Sequence, residues 1–258
     1  MILERVYKLA LPKIAEQKIK DVRIGLGLLA VELDDSSIGV TYVLRKEIGH
    51  ACSALPQAGN LVGKSAEEIA GWALKGENVI ASALGLAVLN SVAEFEKLQL
   101  VNNSPGLDAV FSVEVQPSDT VGIIGHIGPV ISKLKEKVEK LYVFERGENV
   151  PDQVYPESAQ PELLPNCQLV FISSSSLING TLEGLLPYCS QAREVVMVGS
   201  STPLYPEAFR GTGVTMLAGA RWPAANKESI FTAVGQSAGM RQLIKYGEKI
   251  SVRVYAQK

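Results

Sequence analysis

The chain has 258 residues, 47% of them hydrophobic, which is enough to bury one large core or two of ordinary size. Its formal net charge of -2 provides no basic field for a phosphate backbone, so nucleic acid is not an expected partner. Three cysteines, odd in number and far apart, argue against a disulfide framework. With only two histidines as well, we expect no preformed metal site.

Neither a secretory leader nor a membrane span is visible in the sequence. No charged and then apolar leader opens the chain, and no apolar run approaches the ~18 residues of a spanning helix. We therefore expect a cytoplasmic protein with a small-molecule ligand and no membrane partner. The oligomeric state is open, with a homo-oligomer among the alternatives.

The front of the chain predicts an α+β arrangement. A helical stripe of apolar residues runs from Ile2 to about Lys20. Two β-rich runs, DVRIGLGLLAVEL and SSIGVTYVLRKEI, are separated by turn-forming residues and predict a hairpin. Two helices follow, the first beginning at the capping box of Ser65 and Glu68.

After residue 101 the pattern changes to apolar runs that alternate with helical segments. The runs are VGIIG, LYVFE, LVFIS, EVVMVG and GVTMLAG. This alternation predicts a parallel sheet covered by helices, an α/β fold. The boundary is expected near residues 102 to 118, and we divide the chain into residues 1–105 and 106–258.

The first polar loop of the predicted sheet is a glycine turn, GHIG, from Gly125 to Gly128. The N-terminal amides of the helix that follows could receive an anionic or carbonyl edge. The glycine spacing differs from G-x-G-x-x-G, which argues against a dinucleotide pyrophosphate. Glu145 ends the next strand, where an acid can bind ribose hydroxyls, so adenosine-type binding stays open. The alternative is a tight turn with an exposed acid.

Two serine-rich loops follow neighbouring strands, SSSSLINGT at 173–181 and GSSTPLYP at 199–206. They carry five candidate ligand contacts: Ser174, Asn179, Thr181, Gly199 and Ser201. The alternative for the first loop is that its hydroxyls only cap the helix beginning near Leu182. Neither loop contains G-x-S-x-G, so no nucleophile elbow is indicated.

Four further residues have a functional and a structural interpretation. His126 lies in the glycine turn, where it could act as an acid, a base or a ligand contact, or only face solvent. Asn90, near the end of an apolar helix, needs a partner if it is buried and could face the second domain. His50 and Cys52 are more typical of a polar loop beside a thiol than of a metal site, which takes four ligands.

In order along the chain, VGIIGHIGPVI, LYVFER, LVFISSSSLINGTLEGLL, VVMVGSSTPLYPEAF and GVTMLAGARW resemble the blocks of the heavy-metal chelation domain family. The similarity spans about residues 107 to 250 and is collinear. The front of the chain resembles the enolase amino-terminal-like domain that usually precedes it, mainly through GLAVLNSVA and the hairpin.

The resemblance implies a Rossmann-like domain with partial similarity to methyltransferases, and an active site formed jointly with the enolase-like domain. It also implies a condensation or hydrolysis step in the synthesis of a pterin-, flavin- or siderophore-like metal chelator. The positions that match the family's blocks are Gly125, Gly128, Glu145, Arg146, Asn179, Gly180, Thr181, Gly199 and Ser201. Ser200 stands where the family usually has proline.

Three functions remain open from the sequence. The first is an enzyme that acts on a small polar heterocyclic or nucleoside-like ligand at the interdomain crevice, with no catalytic residue assigned. The second is a methyltransferase that uses S-adenosylmethionine, and the third is a non-catalytic binder of a metal chelate. The cofactor is likewise open, with nucleoside-, pterin- and flavin-like ligands as candidates.

Overall fold

A computed structural model of the chain describes residues 1–49, 54–101, 113–146 and 154–255. His50, Cys52 and the predicted boundary between residues 105 and 106 lie outside the described residues. A three-stranded and a seven-stranded sheet organise the described part. None of the described helices is both long enough and apolar enough to cross a membrane.

The front unit is an antiparallel sheet packed against helices. Its elements are α1 (Ile2–Ile14), β1 (Ile19–Ile24), β2 (Leu28–Leu33), β3 (Ile38–Tyr42), α2 (Ala66–Lys75) and α3 (Val79–Ser91). The predicted hairpin is β2 with β3. The first β-rich run is two strands rather than one, because Gly25 N donates to Leu28 O and closes a tight turn between them.

The boundaries of the helices follow their local hydrogen bonds. Ser65 Oγ accepts from Glu68 N at 3.3 Å, as the capping box predicts, and α2 begins there. The first helix is shorter than its apolar stripe. It ends at Ile14, since the next residues turn away and Gln17 O accepts from Ala66 N at the start of α2.

Helix α3 lies at the centre of the front unit. Every residue from Ile80 to Ser91 is buried, and the helix contacts α2, β2 and β3. Glycines allow this close approach: a Cβ at Gly39 of β3 would lie 1.8 Å from Ala87 O, and a Cβ at Gly85 would lie 2.4 Å from Ala73 N. The backbones are therefore in direct contact at both surfaces of the helix.

The second unit contains the seven-stranded sheet. Its strands are β4 (Thr120–Ile124), β5 (Lys140–Phe144), β6 (Val154–Tyr155), β7 (Leu169–Ser173), β8 (Glu194–Val198), β9 (Met216–Arg221) and β10 (Glu248–Arg253). Its helices are α4 (Gly128–Leu134), α5 (Gln160–Leu163), α6 (Ser175–Ile178), α7 (Leu182–Leu185), α8 (Lys227–Gly235) and α9 (Met240–Leu243). The sheet is parallel except for β10, so the predicted α/β fold is confirmed.

The strand order of the large sheet is β10-β9-β8-β7-β4-β5-β6. Chain order reverses between β4 and β7, as in doubly wound sheets, and ligands of such sheets bind beyond the carboxyl ends of the strands at that point. The sequence patterns did not predict β6, which has two residues, or the antiparallel β10. The likeness of the front unit to the enolase amino-terminal domain stays a prediction.

At the opposite, amino end of β4, a buried carboxylate ties two strands together. Asp119 is 2% exposed, and both its oxygens accept from the Arg193 guanidinium at 2.7 Å. Gln116 N also donates to it at 2.7 Å. The Arg193 hydrogen bonds, opposed by burial, hold the pKa of Asp119 below its usual range.

Replacing Gly85 with alanine should destabilise the fold, because the new Cβ would lie 2.4 Å from Ala73 N. We expect a loss of about 1–3 kcal/mol in the free energy of unfolding, as for overpacked cores, measured by urea denaturation. Gly71→Ala is the matched control in α2: no atom lies within 4 Å of its Cβ position, so it should gain about 0.5–1 kcal/mol. Equal effects of the two substitutions would contradict this packing.

Asp119→Asn should lower stability at pH 7 by about 1–3 kcal/mol, the range for hydrogen bonds to a charged group. Because the folded pKa of Asp119 is depressed, its contribution is present above the unfolded pKa of about 3.9 and is lost as pH falls through the folded value. Urea denaturation at pH 7 and pH 3 should therefore show a smaller acid effect in the variant. An identical pH dependence in both proteins would contradict this role.

Candidate functional site

A crevice runs along the carboxyl edge of the large sheet and has two adjoining parts. The wide chamber has a volume of about 850 Å³ and extends from the glycine turn to α9 and β10. The narrow chamber has a volume of about 470 Å³ and extends from the glycine turn to Arg146 and Thr181. His126, Ser173 and Ser175 line both chambers, as do two apolar residues of the front unit, Val43 and Leu44.

The glycine turn is closed by hydrogen bonds from its own neighbourhood. Gly125 adopts a left-handed conformation, with φ of 88°, which permits a sharp turn after β4. The N–H groups of residues 125 to 128 donate, in chain order, to Phe144 O, Glu145 Oε2, Gly125 O and His126 O. The turn therefore presents no free amide, contrary to the expectation that it would receive an anionic edge.

The Glu145 carboxylate occupies the position expected for a ligand anion. Its Oε2 accepts from His126 N at 2.7 Å, and the residue lines the narrow chamber. Within the described part of the chain, Oε1 accepts no hydrogen bond and can accept one from a ligand. His126 itself is exposed where the two chambers meet.

A hydrogen-bonded chain crosses the mouth of the narrow chamber and joins the two units. Arg146 donates to Glu157 at 2.7 Å and to Glu47 of the front unit at 2.9 Å. Asn179 Nδ2 donates to the other Glu47 oxygen at 3.1 Å, and Thr181 Oγ1 donates to Asn179 Oδ1 at 2.8 Å. Thr181 is the N-cap residue of the helix at Leu182, but its side chain makes no capping hydrogen bond there. Burial lowers the Arg146 pKa, but the two glutamates outweigh it and the pKa is raised.

Behind the crevice lies a layer of buried polar groups. Ser174 is fully buried beneath Gly199, where a Cβ would lie 2.6 Å from Ser174 Oγ, so only glycine fits without a shift. Ser201 Oγ accepts from Tyr42 N of the front unit at 2.9 Å. Asn90 Nδ2 donates to Ser200 O at 3.4 Å, so Asn90 faces the second unit as expected. Ser174, Ser201 and Asn90 support the walls of the crevice and line neither chamber, whereas Gly199, Ser200 and Tyr42 line the wide chamber.

The crevice brings eight of the residues named from sequence to its surface. They are Gly125, His126, Gly128, Glu145, Arg146, Asn179, Thr181 and Gly199. Sequence reasoning missed Glu47 and Tyr42 of the front unit and Arg241 of α9. Their only signal was position: Tyr42 ends β3, Glu47 lies shortly after it, and Arg241 lies in the first turn of α9.

The described residues contain no group of three or more His, Cys, Asp or Glu side chains arranged to hold a metal ion. Cys167 and Cys189 are buried, and burial raises the pKa of each thiol to about 12. Such thiols stay protonated and are poor metal ligands. His50 and Cys52 lie outside the described residues.

Comparisons with known proteins cover nearly the whole chain. An uncharacterized protein of Methanocaldococcus jannaschii is 27% identical over 253 residues, which are 92% of this chain and 93% of that protein. A crystal structure from Pyrococcus horikoshii superposes with a TM-score of 0.83 and 25% identity over 98% of this chain and 100% of the other. One from Desulfitobacterium hafniense gives a TM-score of 0.78 and 23% identity over 97% and 98%.

Both crystal structures are described as proteins of unknown function from the DUF364 family. The profile of that family, described as "Putative heavy-metal chelation", matches residues 108–253. The DUF4213 profile, with the same description, matches residues 7–93. The resemblance noted from sequence is thus confirmed, and the chain belongs to the DUF364 heavy-metal chelation family.

Proposed function

We propose that this protein binds a small planar heterocycle in the crevice and acts on it in a condensation or hydrolysis step that leads to a pterin-, flavin- or siderophore-like chelator. The observation that carries the proposal is the crevice itself, which lies at the point where strand order reverses and has walls from both units. A volume of about 850 Å³ is in the usual range for a small-molecule site. In this proposal, chelation belongs to the product.

Glu145 is the proposed anchor of the ligand. Its Oε2 is fixed by His126 N, which leaves Oε1 to accept from an N–H or O–H group. Pterin and flavin rings carry N–H donors on one edge, and a nucleoside carries ribose hydroxyls. Asn179 and Thr181 orient the ligand from the other side of the narrow chamber. The imidazole of His126 supplies an acid or a base where the chambers meet.

The saturated glycine turn bears on the alternatives. A dinucleotide or S-adenosylmethionine site would use amides of this turn, and they already have acceptors. This disfavours the methyltransferase. A non-catalytic binder is the second candidate. It is favoured by Arg146, whose guanidinium donates to Glu47 and Glu157 and so pairs with protein carboxylates rather than with a reacting group.

Ligand binding should depend on the Glu145 carboxylate. Pterin and riboflavin should raise the Tm of the wild-type protein, since binding to the folded state stabilises it. Glu145→Ala should lower the affinity for these ligands by about tenfold or more, because one hydrogen bond to a charged group is lost. Fluorescence titration measures this change. Glu145→Gln keeps an acceptor for His126 N but lacks the charge, so it separates the ligand contact from support of the turn.

Glu139→Gln is the matched control, since it removes one exposed carboxylate outside both chambers. Unchanged affinity in Glu145→Ala would remove Glu145 from the site. Stabilisation by S-adenosylmethionine alone would overturn the proposal in favour of the methyltransferase. If ligands bind but mass spectrometry finds no product with any precursor tested, and His126→Ala leaves binding intact, the non-catalytic binder is favoured.

A further inference from the structure

The two chambers of the crevice differ in charge. Among the described residues that line the wide chamber there is no Asp or Glu, whereas Arg241, Lys249 and His126 line it. The narrow chamber is lined by Glu47, Glu145 and Glu157 together with three cationic side chains, Arg45, Lys46 and Arg146. A ligand that spans both chambers therefore meets carboxylates as well as cations at one end and, among the described residues, only basic or neutral groups at the other.

We infer that the ligand carries an anionic group, a carboxylate or a phosphate, and that this group lies in the wide chamber against Arg241. The inference rests on the proposed function and extends it from a planar heterocycle to an anionic one with a fixed direction. It reverses the placement expected from sequence, in which the glycine turn would receive the anion.

The glycine turn is excluded as the anion site by two features. Its amides already donate to protein acceptors, so none is left to bind an oxyanion. One of those acceptors is the Glu145 carboxylate, and its negative charge would repel an anionic ligand group placed at the turn. The anionic group is therefore directed to the opposite end of the crevice.

The wide chamber also has neutral donors suited to an oxyanion. Five serines line it: Ser132, Ser173, Ser175, Ser200 and Ser251. Ser200 is 2% exposed, and its Oγ has no hydrogen-bond partner within the described part of the chain. A buried hydroxyl without a partner is costly unless a ligand or water satisfies it. Ser200 therefore supplies a hydroxyl in the wall of the wide chamber that no group of the described protein satisfies.

Arg241 is the cation that carries the inference. It is exposed on the rim of the chamber, and its guanidinium can hold a carboxylate or phosphate through two parallel hydrogen bonds. Lys249 already has another interaction in the protein, so the argument does not depend on it. Apolar residues also line the wide chamber, among them Ile127, Ile244 and Ile250, and they provide surfaces for a planar ring.

The test uses two pairs of fluorescent probes that differ in one anionic group. Pterin is compared with pterin-6-carboxylate, and riboflavin with riboflavin 5′-phosphate, by titration of the full chain. In at least one pair the anionic member should bind about tenfold to a hundredfold more tightly, the effect of a hydrogen bond to a charged group. A preference in the pterin pair identifies a carboxylate, and one in the flavin pair identifies a phosphate.

Arg241→Gln should reduce that preference to about one while the neutral probe keeps its affinity. The control is Lys245→Gln, which removes the same charge from an exposed cation close in sequence that lines neither chamber. That variant should keep the preference. Both substitutions are at the surface, and unchanged Tm values would verify folding.

Equal affinity within both pairs, or a preference that survives in Arg241→Gln, would overturn the inference. In that case the proposed function stands if Glu145→Ala still weakens binding of the neutral probes. If none of the four probes binds the wild-type protein, the proposed ligand class is wrong and the inference is overturned with it. The two failures are thus distinguishable.

Discussion

Backbone contact at both surfaces of helix α3 is the constraint on which the crevice depends. The helix is buried from Ile80 to Ser91, and glycines at 39 and 85 let β3 and α2 approach where any side chain would collide. The end of the helix then fixes the second unit, because Leu89 O accepts from the Tyr205 hydroxyl at 2.7 Å and Asn90 donates to Ser200 O. The position of β3, and with it one wall of the crevice, follows from this packing.

The same packing explains why neither unit forms the site alone. Tyr42 N at the end of β3 donates to Ser201, and Glu47 just beyond it pairs with Arg146. The largest hydrophobic cluster is continuous across the units and contains both Leu86 of α3 and Met197 of β8. A continuous apolar core makes large hinge motion between the units costly. The crevice is therefore preformed, and a preformed crevice lowers the entropic cost of binding a small ligand.

Sequence predicted what depends on local pattern and missed what depends on tertiary contact. Alternating apolar runs predicted the parallel strands, and the capping box at Ser65 predicted the start of α2, because both signals are complete within a few residues. The turn that separates β1 from β2 was missed. Gly25 and Gly27 mark it, but the apolar residues on either side of them form a pattern that is also typical of one continuous strand. Strand β10 was missed because its antiparallel pairing with β9 is set by contacts distant in sequence.

The candidate site shows the same division. The loops at the carboxyl ends of β4, β7 and β8 were predictable, because parallel strands bring their ends to one edge of the sheet. The contribution of Glu47 was not, because nothing in its local sequence shows that it meets Arg146 about a hundred residues later in the chain, at 2.9 Å. Nor could glycine spacing reveal that Glu145 accepts from His126 N, since that hydrogen bond depends on the register of β4 with β5.

The hydrogen bond between Glu145 and His126 N also bears on the kind of ligand that the glycine turn can hold. In dinucleotide-binding proteins with a doubly wound sheet, the turn after the first strand holds a phosphate, and an acid at the end of the second strand holds a ribose. Here the acid accepts from His126 N, and backbone carbonyls accept from the other three amides of the turn, so no amide is left for a phosphate. In the proposed function, the strand order is retained, but the ligand has hydrogen-bond donors rather than a negative charge at the turn. In the same proposal, the basic side chains that line the wide chamber set the direction in which the ligand lies.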